Sequence, residues 1–192
     1  LEVKREILIG VTAGIAAYKT CDLVSRLVKG GYGVSVVMTE NATHLVAPRT
    51  FQALTGRCVS VQMFQGSEAI PHIDPGRNAD LLCVAPATAN FLGKVACGLA
   101  DDLLSTLYLA FSGPVLLAPA MNCQMWAKPS VQRNVRQLLE DGVQFIGPET
   151  GRLACGEEGA GRMAEPEQIF KRIQELLSDS GKGIDGALAS SF

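Results

Sequence analysis

Histidine, tryptophan and long apolar runs are all scarce in this chain. Only two histidines occur, His44 and His72, and a single tryptophan, Trp126. Chemistry that needs two or more histidines is therefore close to excluded. The six cysteines, at positions 21, 58, 83, 97, 123 and 155, form no Cys-x-x-Cys pair. A zinc site would have to draw on scattered thiols, so no metal is expected. No secretory pattern follows Lys4, Arg5 and Glu6, so the cysteines are expected as reduced thiols of a cytoplasmic protein. Apolar runs such as 81–85 are far shorter than the ~20 residues of a membrane span. A net charge of −2 supplies no basic field, so neither nucleic acid nor an anionic membrane is an expected partner.

What is present is core. Apolar residues make up 47% of the 192 positions and charged residues 19%, the balance of a globular chain rather than a disordered one. The length fits one domain, expected over 1–177. Residues 178–192, rich in Ser, Gly and Ala, are expected as a disordered tail. The run 6–11 reads as a buried strand. It is followed by Thr12-Ala13-Gly14 and a helix over 15–29, with Ile15, Tyr18, Leu23, Leu27 and Val28 on its apolar face. Gly30-Gly31 supplies the stop. A second strand covers 34–38, and Thr39-Glu40-Asn41 caps a helix reaching Val46.

The runs 81–85 and 115–118 are nearly unbroken, which suits strands buried on both faces of a parallel sheet. Helices are expected over 90–98, 101–111 and 131–139, a short strand over 143–146, and a last helix over 166–177 with Pro166 in its first turn. Strand and helix alternate, so the class is α/β, a doubly wound Rossmann-like parallel sheet.

Each expected parallel strand ends in a polar or glycine-containing turn. In a doubly wound sheet such turns meet at the carboxyl edge, where ligands bind. Those after the first, second and third strands hold Gly14, Thr39 and Thr88. Small residues and hydroxyls leading into helix N-termini suit a phosphate, although the first turn also reads as a plain tight turn. Three side chains, His72, Cys155 and Asn122, leave alternatives open. His72, in Ile70-Pro71-His72-Ile73-Asp74, is a catalyst or a surface residue. His44 is expected to be structural. Cys155 lies in Ala154-Cys155-Gly156-Glu157-Glu158-Gly159-Ala160-Gly161, a glycine-rich stretch read as a mobile loop, and is a lid thiol or an inert one. Asn122 either donates its amide to a ligand or closes an Asx turn.

Four motifs occur in order: Gly10-Val11-Thr12-Ala13-Gly14-Ile15-Ala16-Ala17-Tyr18-Lys19, Ala85-Pro86-Ala87-Thr88-Ala89-Asn90, Pro119-Ala120-Met121-Asn122-Cys123-Gln124-Met125-Trp126, and 154–166 ending Gly161-Arg162-Met163-Ala164-Glu165-Pro166. Together they resemble the flavin-containing cysteine decarboxylases, and the last points to their coenzyme A branch. The resemblance implies a flavodoxin-like domain binding FMN and assembled as a homotrimer or a dodecamer of trimers. It implies FMN contacts from Ala13, Gly14, Ile15, Thr39, Asn41, Thr88, Ala89, Asn90, Phe91 and Ala120. It implies substrate contacts from Met121, Asn122, Met163 and Ala164, and catalytic roles for His72, Asn122 and Cys155. Relatives commonly carry Trp where this chain has Asn78. Many bacterial relatives continue into a synthetase domain, which the native protein would then share.

The implied reaction converts 4′-phosphopantothenoylcysteine to 4′-phosphopantetheine. A β-thiol carboxylate resists direct loss of CO2 because the carbanion has no electron sink. Oxidation of CH2–SH to a thioaldehyde creates one, and the flavin supplies that oxidation. The resulting ene-thiol must then regain electrons and a proton, for which Cys155 is the expected donor. The alternative is a peptidyl-cysteine decarboxylase of peptide-antibiotic maturation, which stops at the ene-thiol and has no use for that donor. A non-catalytic phosphatase-binding reading would call for an acidic tail, and the tail here has only Asp179 and Asp185.

Overall fold

The run from Leu81 to Ala87 is buried at every position, which a strand achieves only with both faces covered. It forms the centre of a parallel sheet in the computed structural model, which describes residues 4–63, 78–152, 156 and 158–182. The strands are β1 (Glu6–Val11), β2 (Gly33–Met38), β3 (Leu81–Ala87), β4 (Val115–Pro119) and β5 (Gln144–Phe145), in spatial order β2-β1-β3-β4-β5. All neighbouring pairs are parallel. This is the flavodoxin-like order, in which the chain reverses direction across the sheet between β1 and β3. Both β3 and β4 outrun their expected ends, taking in Pro86 and Pro119 respectively.

Helices cover both faces. On one lie α1 (Ala17–Lys29), α2 (Pro48–Thr55) and α7 (Pro166–Lys182); on the other lie α3 (Ala89–Ala96), α4 (Leu103–Ala110) and α6 (Pro129–Glu140). A single turn, α5 (Cys123–Trp126), follows β4. The first core joins Ile7, Ile9, Leu23, Leu27, Phe51 and Ile169; the second joins Leu8, Leu82, Phe91, Leu104 and Leu138. Neighbouring β1 residues thus feed opposite cores, as the two-residue period of a strand requires.

Several boundaries differ from expectation. The buried stripe of α1 is Ala17, Thr20, Leu23, Val24 and Leu27, spaced by helical turns. Ile15 precedes the helix and Tyr18 points away from the stripe, and they are 65% and 63% exposed. After Thr39 the chain makes a 3-10 helix, Glu40–His44, rather than an α-helix, and His44 at its end is exposed. The proline-initiated α2 was not anticipated. Its start signal is Pro48 at the first turn, and Gly56, at φ 69°, closes it in the left-handed conformation that glycine accepts most easily. The last helix continues past Leu177 to Lys182, into the expected tail; residues 183–192 lie outside the described residues, as do His72 and Cys155. Among the described residues no helix is long and apolar enough to cross a membrane.

Cys83 faces the first core and is fully buried. Desolvation disfavours its thiolate and pushes the thiol up to about 12. At pH 8 iodoacetamide should therefore modify the exposed Cys58 and Cys97 in the native protein, and Cys83 only after unfolding. Peptide mass mapping that found Cys83 labelled as fast as Cys97 would contradict this packing.

Candidate functional site

The carboxyl ends of β1 and β3 are joined through one hydroxyl. Thr12, 2% exposed, donates from Oγ1 to the Pro86 carbonyl at 2.7 Å and accepts from the Thr88 N–H at 3.2 Å. One turn into α1, buried Thr20 donates to the Ala85 carbonyl at 2.7 Å. These bonds satisfy polar groups that the strand ends would otherwise bury unpaired. They also fix the first turn close to the third. A Cβ placed on Gly14 would lie 3.2 Å from Cγ of Pro86 and 3.4 Å from Cγ2 of Thr88, so a larger residue would press on the neighbouring loop.

A cleft of about 1180 Å3 opens over this junction. Its lining includes every residue for which a cofactor contact was implied: Ala13, Gly14, Ile15, Thr39, Asn41, Thr88, Ala89, Asn90, Phe91 and Ala120. Thr88 caps α3, accepting from the Phe91 N–H at 3.4 Å, while the Leu92 N–H donates to the Thr88 carbonyl at 3.0 Å. A helix start leaves its first N–H groups without intrahelical acceptors, here those of Ala89 and Asn90 beside the cleft.

Of the implied substrate contacts, Met121, Asn122 and Met163 line the same cleft. Ala164 does not; it and Met163 are both 1% exposed members of the first core, and only Met163 also reaches the lining. Asn122 is the cap of α5 and accepts from the Gln124 N–H through Oδ1 at 2.7 Å. The Asx turn and the ligand-facing reading are therefore compatible. Oδ1 is engaged at the helix start, and the same amide carries donors at Nδ2.

The glycine-rich segment after Cys155 is not a loose loop where it is described. Residues Glu158–Arg162 form β7, antiparallel to β6 (Glu149–Arg152). The hairpin presses on the Met121–Cys123 turn. The Met121 N–H donates to the Gly161 carbonyl at 2.9 Å. A Cβ on Gly161, at φ 154°, would collide with the Met121 carbonyl oxygen, and one on Gly159 would lie 2.7 Å from Cβ of Cys123. These glycines serve close backbone approach, a use that composition alone does not separate from flexibility.

Sequence reasoning also missed three cations in the lining, Lys19, Lys94 and Arg162, and the carboxylate of Asp102; Glu40 of the second turn lines it too. Lys94, on the helical face of Asn90 and Phe91, bridges Asp101 at 2.7 Å and Asp102 at 2.8 Å. Burial acts to raise the Asp102 carboxyl, but Lys94 and the Ser105 donors outweigh it and hold the group below its ordinary range. Lys19 and Arg162 share Oε1 of Glu165, at 2.9 and 2.7 Å. The Lys19 hydrogen bond is the largest influence holding that carboxyl down. The available signal was position: Lys19 lies in the first motif and Arg162 in the last.

The pattern of the Flavoprotein family matches residues 1–178. The chain belongs to that family. This flavoprotein is 51% identical over 177 residues to the coenzyme A biosynthesis bifunctional protein CoaBC of Bacillus subtilis, and 43% identical over 176 residues to that of Haemophilus influenzae. Each alignment covers 91% of this chain but 44% of the relative, so the flavoprotein spans under half the length of the curated relatives it matches. Among solved structures, it resembles a PPC decarboxylase mutant complexed with pantothenoylaminoethenethiol. The TM-score is 0.80 at 31% identity, over 90% of this chain and 97% of that one. It resembles the FMN-dependent cysteine decarboxylase SpaF equally, at TM-score 0.80 and 33% identity, over 92% and 97%.

Two glycine substitutions separate packing from flexibility. Gly161→Ala should cost about 1–3 kcal/mol through its strained φ and the Met121 collision. Gly93→Ala, inside α3 with only the Asn134 side chain 3.5 Å from the new Cβ, should gain about 0.5–1 kcal/mol. Thermal unfolding checks both signs, and a Gly161→Ala protein as stable as the parent would remove the docked hairpin.

Proposed function

We propose that this flavoprotein is an FMN-dependent decarboxylase that converts 4′-phosphopantothenoylcysteine to 4′-phosphopantetheine in coenzyme A biosynthesis. The observation that carries the reading is the cleft at the β1/β3 reversal, because all ten residues implied for FMN line it. In flavodoxin-like sheets that reversal is where FMN binds.

The cleft also fits the group. A Cβ at Gly14 would narrow the turn that a phosphate approaches. The Thr88-capped start of α3 offers N–H groups and a favourable dipole to an anion. Ile15, Phe91 and Ala120 supply apolar wall for a ring. We assign Gly14, Thr39, Asn41 and Thr88–Asn90 to holding FMN. When bound, FMN supplies reversible two-electron oxidation of the substrate CH2–SH.

The remaining work falls to this chain. Asn122 donates from Nδ2 to the substrate carboxylate and orients it without a positive charge, which would stabilise the carboxylate against loss of CO2. The apolar wall keeps water from the reacting carbon. His72 accepts the substrate proton. Cys155 returns a proton to carbon after CO2 has left. The coenzyme A proteins at 43–51% identity support this reading, and the peptidyl-cysteine alternative is not retained. Because those relatives are bifunctional and about twice as long, we further propose a fused synthetase domain in the native protein. A cytoplasmic location and a homotrimeric assembly are proposed from the family resemblance alone.

Product mass under anaerobic conditions tests the assignment. The FMN-loaded protein should yield the saturated thiol. Cys155→Ser should yield the ene-thiol, lighter by about 2 mass units (the two hydrogens the saturated thiol regains), since a hydroxyl is far less acidic than a thiol of pKa ~8.5. His72→Asn should slow substrate oxidation by about 100-fold or more with flavin still bound. Saturated product from Cys155→Ser would take that residue out of the reaction. Absence of CO2 release by the parent protein would end the decarboxylase reading.

A further inference from the structure

The three cleft cations are not equivalent. Lys94 faces the cleft together with its own counterion, because Asp102 is also part of the lining. Lys19 and Arg162 line the cleft, but their carboxylates, Glu165 and Glu149, do not. The lining thus carries three cations, Lys19, Lys94 and Arg162, against two carboxylates, Glu40 and Asp102, and only Lys19 and Arg162 have all their ion-pair partners outside it. The guanidinium is also incompletely matched. One Nη donates to Glu165 at 2.7 Å and, weakly, to Glu149 at 3.4 Å, while Nε is buried with no hydrogen-bond partner among the described residues. Nε has no access to the cleft, so any ligand there must be met by the Nη groups, whose planar fork suits phosphate oxygens, and by the Lys19 ammonium held on the same Glu165 oxygen.

We propose that Lys19 and Arg162 form a recognition site for a phosphate monoester entering the cleft. Glu165 is the internal acceptor that holds both cations in place when no ligand is bound. Phosphate is favoured over carboxylate because a guanidinium on the scissile carboxylate would stabilise it against decarboxylation. The proposed reaction brings two phosphate monoesters to the cleft, that of the substrate and that of FMN. Arg162 lies between Gly161, which docks on Met121, and Met163 of the lining. This puts it on the side assigned to substrate, so the substrate phosphate is the expected occupant. The inference rests on the decarboxylase reading for the substrate's identity. It makes this pair the part of the site that separates a phosphorylated pantothenoyl substrate from an unphosphorylated cysteine compound.

The test is equilibrium binding to the FMN-loaded protein, which requires no turnover. The titrants are 4′-phosphopantetheine and pantetheine, with the parent, Arg162→Gln and Lys19→Gln proteins. The parent should prefer the phosphorylated compound. Each variant should weaken 4′-phosphopantetheine by about 10- to 100-fold, the range of a lost charge-assisted bond, and leave pantetheine unchanged. Titration of apoprotein with FMN and riboflavin supplies the second arm. If the variants weaken FMN alone, the pair still reads a phosphate, but the cofactor's. Equal weakening of phosphorylated and unphosphorylated ligands, or no change in any, would overturn the proposal. Failure of the decarboxylase reading would appear separately, as absence of CO2 release by a parent protein that still distinguishes the ligands.

Discussion

The bond network at the Thr12 hydroxyl is what the site depends on. In a sheet of order β2-β1-β3-β4-β5 the turns after β1 and β3 diverge to opposite faces, and the crevice between them is a property of the topology. Its shape is not. One side chain, donating to the Pro86 carbonyl and accepting from the Thr88 N–H, ties the glycine turn to the cap of α3. The N–H groups that start α3, the small residues at 13–14 and the apolar wall from Phe91 are then held in one frame. A buried hydroxyl with both its donor and its acceptor capacity used is hard to move, because any shift leaves a polar group unpaired.

The second half of the site is brought in by backbone proximity. The β6–β7 hairpin reaches the Met121–Cys123 turn because Gly159 and Gly161 carry no side chain there. That contact places Arg162 and Met163 on the cleft, with Met163 and Ala164 both anchored in the core. The ion chain from Lys19 through Glu165 to Arg162 then ties α1 to the hairpin. Charge on this wall is consequently fixed by two elements far apart in sequence.

Much of this was legible in the chain. Unbroken apolar runs marked β3 and β4 as doubly buried strands, and polar turns after them marked the ligand edge. Motif resemblance named ten of the residues that line the cleft as cofactor contacts. What escaped was tertiary. The pattern Gly159-Ala160-Gly161 carries the same letters whether it bends freely or lies flat against another backbone, and only the Met121 contact distinguishes the two. Tyr18 looked like core because it is apolar near the start of a helix, yet the buried stripe begins at Ala17 and advances by turns. The pairing of Lys19 with Glu165 spans the whole domain, and no local pattern announces it.

The dependence on Thr12 can be measured directly, by comparing FMN affinity and thermal stability of Thr12→Ser and Thr12→Val. Serine keeps the donor and acceptor, whereas valine keeps the shape and leaves the Pro86 carbonyl and Thr88 N–H unpaired. The serine protein should bind FMN within about threefold of the parent, and the valine protein should lose about tenfold or more, even at temperatures well below its unfolding transition. Parental FMN affinity in a folded Thr12→Val protein would contradict the account, because the cleft would then be shaped by something other than this bond.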